Sequence, residues 1–533
     1  MTHTISEKLL AQCSEFITLR FGLHFPKKRW RDLERGLIRA ARDLGFTDAE
    51  SCTRRLVTAQ LTKEQAEALV CHLTIGETYF FREKKSFEAL RTHILPALID
   101  SRQGREKRLR IWCAGCSTGE EPYSVAILLH RMIADLAKWN ITILATDINP
   151  AFLRKGIHGE YGDWSFRDTP RWLKETYFTT NREGRHVIFE NIRKMVTFAP
   201  LNLAQDPFPA LANNTNAMDV IFCRNVLMYF DPEQIKGVID KFRHSLVDGG
   251  WLIVSPCETS HNLFAGFSAE QLSNAIFYRK GDYRLEIPQP FLEAAGGGEC
   301  MSAINLHPPL AKGELVEFTD LQKVKSPPSP LSQRGEGESA NPMTALNPVQ
   351  DALFVSRHEE ALLSYRRGEY AEAAAKLTEF LESLPQGPSS PFYGEAASLL
   401  TQAYANQGNL PLALEWSEKA LAADRLNPRP YYLQATILQE QGAFDAAIVS
   451  LKRAIYLDHG FVLAHFALAN LTQRQGKPKD AARHLKNAAS LLHAYAVDDI
   501  LPGSEGMSAR RLLEIIASTL DGIEAGKRQK AMG

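Results

Sequence analysis

The stretch Arg110-Ile111-Trp112-Cys113-Ala114-Gly115-Cys116-Ser117-Thr118-Gly119-Glu120-Glu121-Pro122-Tyr123-Ser124 decides how the chain is read. A β-rich run enters a glycine-containing turn, and Pro122 suits the first turn of a following helix. Gly115 and Gly119 let the backbone turn tightly and approach a ligand closely. Their spacing is not the G-x-G-x-x-G of dinucleotide binders, and no Lys-Ser/Thr follows as in a phosphate-cradling P-loop. Glu120 and Glu121 stand at the helix start instead. Two carboxylates there would repel a pyrophosphate and suit a cofactor carrying a sulfonium and an ammonium group. Cys113 and Cys116 have redox or zinc spacing, but there is no second cysteine pair or nearby histidine cluster. Packing and loop geometry account for them, and no metal site is expected.

On either side of this turn, β-rich runs alternate with helical patterns. Strands are expected at Leu109–Cys113, Ile141–Thr146, Val196–Phe198, Val220–Cys223 and Trp251–Val254, with helices at Pro122–Ala137 and Pro232–Leu246. Such alternation predicts a parallel, doubly wound α/β sheet over residues 76–286. Asp147 closes the second strand, where an acidic residue commonly accepts hydrogen bonds from ribose hydroxyls. The plainer reading is a cap for the helix near Pro150, a role that Asn149 is better placed to fill.

Residues 1–75 read as helical, with apolar Leu33, Leu37, Ile38 and Ala41 at three- and four-residue steps and a capping box at Thr62 and Gln65. Residues 287–350 hold Gly296-Gly297-Gly298, Lys325-Ser326-Pro327-Pro328-Ser329-Pro330 and Gly335-Glu336-Gly337, a composition expected of a flexible linker. Beyond it Gly408, Gly442 and Gly476 recur every 34 residues, each followed at fixed offsets by Ala413, Ala447, Ala481 and by Ala420, Ala454, Ala488. This period resembles the tetratricopeptide repeat (TPR), in which glycine ends one helix and alanines let the next pack closely. Gly368 with Ala373 suggests a divergent unit upstream. Repeats are expected over 351–495, followed by a helical tail over 496–533.

The 533 residues exceed one hydrophobic core, and Lys plus Arg balances Asp plus Glu at 62 each, so global charge indicates no particular partner. The N-terminus lacks the pattern of a signal peptide, no stretch has the ~20 apolar residues of a membrane span, and eight scattered cysteines suit a reducing compartment. A cytoplasmic protein without membrane insertion is expected.

Five ordered segments together resemble the CheR family of chemoreceptor glutamate methyltransferases. They are Gly76-Glu77-Thr78-Tyr79-Phe80-Phe81-Arg82, Cys116 to Ser124, Ala145-Thr146-Asp147-Ile148, Leu201-Asn202-Leu203 and Ile221-Phe222-Cys223-Arg224-Asn225-Val226-Leu227-Met228-Tyr229-Phe230. The resemblance covers roughly residues 1–286. It implies a Rossmann-like, S-adenosyl-L-methionine-dependent methyltransferase domain with an N-terminal helical substrate-recognition domain and a small β-subdomain inserted at 159–195. It also implies γ-glutamyl methyl ester formation on the cytoplasmic methylation helices of chemoreceptors. By motif, Gly76, Thr78 and Arg82 would line the cofactor pocket, with Arg82 near the reacting methyl. Glu121 would meet the methionine part, Asp147 the ribose, and Asn202-Leu203 the adenosine end. Arg224 and Asn225 would complete the pocket, and Tyr229, near Arg82, would help place the acceptor carboxylate. Arg224 has a structural alternative, tying the sheet's end to a carboxylate. Gly76 stands where many relatives have Asn, and Ser255-Pro256-Cys257-Glu258 replaces the frequent Gly-His-Ser-Glu.

Arg20, Lys27, Lys28, Arg29, Arg31, Arg35, Arg39 and Arg42 face only Asp32 and Glu34 over this span. A stripe of this kind is either a solvated helix face or, as the resemblance implies, a contact for the glutamate-bearing receptor helices. No aromatic platform or DNA-binding motif accompanies it, so nucleic acid is not expected. In relatives that grip a peptide at the receptor's tail, the β-subdomain has a longer loop than Thr179–Arg185. Independence from a tail tether is therefore expected, with docking or regulation supplied by a protein partner on the TPR surface. Two alternatives stay open: a methyltransferase acting on another protein, and a TPR scaffold without turnover.

Overall fold

Every residue of the strand that enters the glycine turn is buried, as expected of a central strand covered on both faces. The structure, a computed structural model, describes residues 5–102, 107–281, 348–384 and 387–532. The strands among them are β1 (Arg108–Ala114), β2 (Asn140–Asp147), β3 (Glu160–Tyr161), β4 (Phe178–Thr180), β5 (His186–Ile188), β6 (Val196–Pro200), β7 (Met218–Cys223), β8 (Leu246–Val254), β9 (Ser268–Leu272) and β10 (Ala275–Arg279). Seven of them form one sheet in the order β6-β2-β1-β7-β8-β10-β9. Pairing is parallel from β6 to β8, with Ile111 opposite both Ile143 and Val220, and antiparallel across β8-β10-β9. The β9–β10 hairpin was not expected. It turns through Ser273 and Asn274, both at positive φ, as a two-residue hairpin requires. β3, β5 and β4 form a separate three-stranded antiparallel sheet between β2 and β6 in the chain.

The chain divides into two compact units, Met1–Leu285 with Arg357–Gly533, and Glu286–Ser356. The linker expected over 287–350 lies, up to residue 347, outside the described residues. In the first unit, α1 (Glu7–Phe21), α2 (Trp30–Asp43), α3 (Ala49–Thr58) and α4 (Lys63–Leu73) share a core built on Leu10, Ile17, Leu33, Leu37 and Leu69. The capping box of Thr62 and Gln65 opens α4. α5 (Lys84–Ala89) and α6 (Leu95–Ser101) precede β1. α7 (Glu120–Met132), α8 (Pro150–His158), α9 (Trp172–Tyr177), α10 (Glu190–Arg193) and α11 (Pro232–Ser245) follow it.

The C-terminal region is a run of helix pairs: α12 (Pro348–Arg366) with α13 (Tyr370–Glu382), α14 (Tyr393–Asn406) with α15 (Leu410–Ala423), α16 (Pro428–Glu440) with α17 (Phe444–Leu457), and α18 (Val462–Arg474) with α19 (Pro478–Leu492). Gly368, Gly408, Gly442 and Gly476 sit in the turns within each pair at φ between 72 and 78°, the left-handed conformation that ends a helix. The alanines at the repeat offsets are buried, so each second helix packs closely. A last helix, α20 (Ala509–Met532), joins their core through Leu512 and Ile516.

The repeats lie against the N-terminal edge of the sheet. A Cβ on Gly408 would stand 2.6 Å from the Arg108 guanidinium and 3.3 Å from Val247, so glycine is required there for packing as well as for turning. Glu440 of α16 lies 3.7 Å from Arg108 and 3.6 Å from Arg110, and accepts a 2.8 Å hydrogen bond from Asn216. Two arginines inside a buried strand are otherwise costly. Glu440 balances them from the repeat side, while Arg110 also donates to Asn214 and Asn216.

Candidate functional site

β1, β2 and β7 end side by side, and the chain leaves β1 toward β2 on one flank and meets β7 on the other. That is the switch point at which open parallel sheets bind ligands. Gly115 (φ 76°) and Gly119 (φ 95°) shape the turn after β1. A Cβ on Gly115 would collide with Val226, and one on Gly119 would stand 3.0 Å from Cα of Gly156 in α8. Both glycines thus let neighbouring segments close in around the turn.

Asp147, at the end of β2, is buried. Its carboxylate accepts N–H bonds of 2.8 Å from Ser117 and 2.8 Å from Asn149, which joins the two turns. The helix cap belongs to Asn149, whose side chain accepts from Ala151 and Phe152. Burial pushes the Asp147 carboxyl up to about 6, against the pull of its backbone N–H donors. Ser117, itself at φ 49°, leaves its buried hydroxyl without a hydrogen-bond partner.

The two glutamates opening α7 divide their work. Glu120 is buried and spent on Thr118 (2.6 Å) and Ser165 (2.8 Å), which corrects the expectation of two carboxylates facing a cofactor. Only Glu121 faces Arg224, at 2.9 Å. Burial raises the Glu121 carboxyl and the Arg224 guanidinium opposes the shift. Arg224 also lies 3.1 Å from Glu83 and donates to the carbonyl of Arg82, so it ties the Arg82 loop to the end of β7. The structural alternative for Arg224 describes these bonds.

The Arg82 loop is held from below by Phe80, which packs in an aromatic cluster with Tyr161, Phe166 and Phe178. Phe81 (φ 55°) and Glu83 (φ 59°) flank Arg82 in left-handed backbone, as does Asn225 (φ 60°) across the site. Non-glycine residues adopt this conformation at a cost and gather at functional sites. Arg82 donates to the carbonyl of Glu77 at 2.5 Å, and Thr78 sits half-buried between them in sequence. Glu258 anchors the opposite loop, accepting N–H bonds from Asn225 (2.7 Å), Val226 (2.7 Å) and Met228 (3.3 Å). Ser255 and Glu258 form a capping box, so the outer residues of the unusual Ser-Pro-Cys-Glu quartet keep this loop in place.

Tyr229 is half-buried. Burial raises its phenol while the guanidiniums of Arg29 and Arg82 act in the opposite direction. Arg29 lies 5.7 Å from the Tyr229 ring centre, and His24 N–H donates to the Tyr229 carbonyl at 2.7 Å. The N-terminal helices therefore reach the Tyr229 end of the site. The structure also brings Arg29, Glu83, Glu258 and Ser117 to the site, none of which the sequence alone assigns to it. In the sequence Arg29 belongs only to the basic stripe and Glu258 only to a departure from the family pattern, and Glu83 and Ser117 carry no signal of their own.

Asn202 is engaged by its surroundings. Its amide side chain donates to the Arg20 carbonyl (3.2 Å) and accepts from Ala204 (3.0 Å), while Leu203 is packed in the core. Gly76 has a specific reason: a Cβ would stand 2.6 Å from the Phe152 ring, which occupies that space. Gly76→Asn should lower stability by about 1–3 kcal/mol through overpacking. Denaturant unfolding should show more than half of that loss restored in the double variant with Phe152→Ala. Cys113 and Cys116 are buried free thiols with pKa values raised by burial, in line with packing.

The chemistry of the site favours a donor-rich, cationic ligand. Asp147 and Glu121 are carboxylates, and the buried Ser117 hydroxyl and Asn225 amide oxygen have no hydrogen-bond partner. Hydroxyls and an ammonium group would satisfy them, so the residues fit S-adenosylmethionine. The family profile described as "CheR methyltransferase, SAM binding domain" matches residues 76–274. A "Chemotaxis protein methyltransferase" of Borreliella burgdorferi is 31% identical over 257 residues, 48% of this chain and 89% of that protein. A "Probable chemotaxis protein methyltransferase" of Rhizobium etli is 35% identical over 42% of this chain and 81% of its own length. A "Probable biofilm formation methyltransferase WspC" of Pseudomonas putida is 28% identical over 80% of this chain and 93% of its own length. The chain belongs to the CheR family of chemotaxis methyltransferases, with S-adenosylmethionine as its cofactor and tetratricopeptide repeats behind its methyltransferase domain.

Proposed function

We propose that this enzyme is a protein-glutamate O-methyltransferase that esterifies glutamates on the cytoplasmic methylation helices of chemoreceptors. The observation that carries this reading is that the Arg29 guanidinium lies 5.7 Å from the Tyr229 ring centre, at the end of the site where Arg82 also acts on the Tyr229 phenol. Two guanidiniums and a phenol make a receptor for a carboxylate. When bound, S-adenosylmethionine supplies an electrophilic methyl group on a sulfonium. Asp147 and Glu121 would hold the donor-rich ends of the cofactor, with Thr78 and Asn225 beside them. Arg82 and Tyr229 would orient the acceptor carboxylate. A glutamate carboxylate has an ordinary pKa of about 4.3 and is ionised at neutral pH, so no general base is needed. The cofactor would supply the methyl of the new ester and leave as a neutral thioether. Catalysis rests on positioning.

The N-terminal helices serve as the substrate-recognition region. Arg31, Arg39 and Arg42 lie exposed on α2, where acidic receptor helices would be attracted, more weakly in high salt. No described helix is long and apolar enough to cross a membrane, which is compatible with action from the cytoplasm. The β4–β5 connection is a tight turn in which Asn181 accepts from Glu183 and Arg185. That supports independence from a receptor tail tether.

The test is to incubate the full chain and S-adenosylmethionine with a soluble receptor fragment bearing the methylation helices, then map the product by mass spectrometry. One added methyl on glutamate is expected, and it should persist when the receptor tail is removed. Methyl on lysine or arginine, or none with cofactor bound, would overturn the assignment. A second reading concerns output. The match to the biofilm-formation relative covers 80% of the chain and so reaches into the repeats, which favours a biofilm-formation pathway over motility. Deletion would separate these by biofilm and swimming assays.

A further inference from the structure

The C-terminal helix α20 reaches the loop that follows β6. Arg511 makes a two-pronged ion pair with buried Asp206, Nε to Oδ1 at 2.6 Å and Nη2 to Oδ2 at 2.8 Å. Asp206 in turn accepts the Asn202 N–H at 2.6 Å, and the Leu201 N–H donates to the Asp147 carbonyl at 3.1 Å. A continuous bonded path thus runs from α20 to the loop's first residues and on to the backbone of the ribose carboxylate. Beside it, Glu514 of α20 bonds Arg511 at 2.9 Å and Arg20 of α1 at 3.2 Å. A cavity of about 200 Å³ lies at this junction, bordered by Ile148, Pro150, Asn202, Arg511 and Ile515. Its walls come from the ends of β2 and β6 and from the C-terminal helix.

We propose that Arg511 is a positioning residue for the nucleoside end of the cofactor site, so that the repeat-bearing C-terminal region sets the affinity for S-adenosylmethionine. This rests on the reading of Asn202-Leu203 as the adenosine end and of Asp147 as the ribose acceptor. A fork-on-carboxylate pair fixes both distance and angle, which a point charge or an apolar contact would not. Because α20 shares one core with α19, to which Leu512, Ile516, Leu485 and Leu492 all belong, a partner that shifts the repeats would also shift the Asn202 loop. Cofactor binding and occupancy of the repeats are then coupled in both directions.

The experiment uses the full chain and measures S-adenosylmethionine and S-adenosylhomocysteine affinity by calorimetry, with kcat and KM alongside. Arg511→Gln should raise both dissociation constants and the cofactor KM about tenfold, with a much smaller change in kcat. Arg511→Lys, which keeps the charge and loses the fork, should recover part of the affinity, and it provides the reading if the glutamine variant is too unstable to purify. Wild-type affinity in the Arg511 variants, alongside lost binding in Asp147→Ala, would overturn the coupling alone. Wild-type affinity in Asp147→Ala as well would overturn the reading of the site beneath it. An equal fall in kcat for both Arg511 variants with unchanged affinity would reduce Arg511 to a general structural contact and also overturn the proposal.

Discussion

Asp147→Ala is expected to weaken S-adenosylmethionine binding at least about 100-fold, the loss of two charge-assisted hydrogen bonds to ribose hydroxyls. The carboxylate is buried, and its own pKa shows what burying it costs: it stands at about 6, above the ordinary carboxylate value, because burial disfavours the charged form. The sign of the pH effect follows. The folded protein holds this proton more tightly than the unfolded chain, so the Asp147 contribution to stability is fully present below about pH 4 and is lost as pH rises through about 6. Cofactor binding has the opposite sign, since ribose hydroxyls need the ionised form. Affinity should therefore fall about tenfold between pH 7.5 and pH 5, and Asp147→Asn should flatten that profile. Calorimetry across this range checks both, and a wild-type profile that is flat, or that rises toward low pH, would remove Asp147 from the ribose role.

The second large effect belongs to Arg82. Arg82→Ala should lower kcat by about 100-fold or more while cofactor affinity changes only a few-fold, because the side chain is assigned to orienting the acceptor. Arg82→Lys should retain only part of the activity, since an ammonium cannot hold a carboxylate by two parallel bonds. Arg224→Ala is an unsuitable comparison. It would strand Glu83 and Glu121 without their cation, and a loss of activity would then report a collapsed loop. A cofactor KM that rises in step with a preserved kcat in Arg82→Ala would place Arg82 on the cofactor rather than the acceptor.

The fold class was legible because its signals are local. The glycine turn at 115–119, the alternation around it, the Thr62–Gln65 cap and the 34-residue spacing of Gly408, Gly442 and Gly476 each lie within one element or one period. The candidate site was legible where a motif marks a strand end, as at Asp147 and Arg224, which the structure places at the ends of β2 and β7. What escaped depends on partners far along the chain. Arg108 and Arg110 inside a buried strand make sense only beside Glu440, which no local pattern connects to them. Arg29 looked like one more cation in a stripe until the fold brought it over Tyr229. Glu120 and Glu121 are neighbours in sequence but point about 100° apart on a helix, so one is spent inside while the other faces the site. The β9–β10 hairpin escaped because Ser273-Asn274 is a weaker turn signal than Asn-Gly.

On the proposed function the methyl group ends on a carboxylate. The most direct test is transfer of radiolabelled methyl from S-adenosylmethionine to membranes containing chemoreceptors, followed by mild base and capture of volatile methanol. Label on a receptor-sized band that is released as methanol, and that is absent with Arg82→Ala, is the predicted result. Label that survives base would place the methyl on nitrogen and exclude carboxylate esterification.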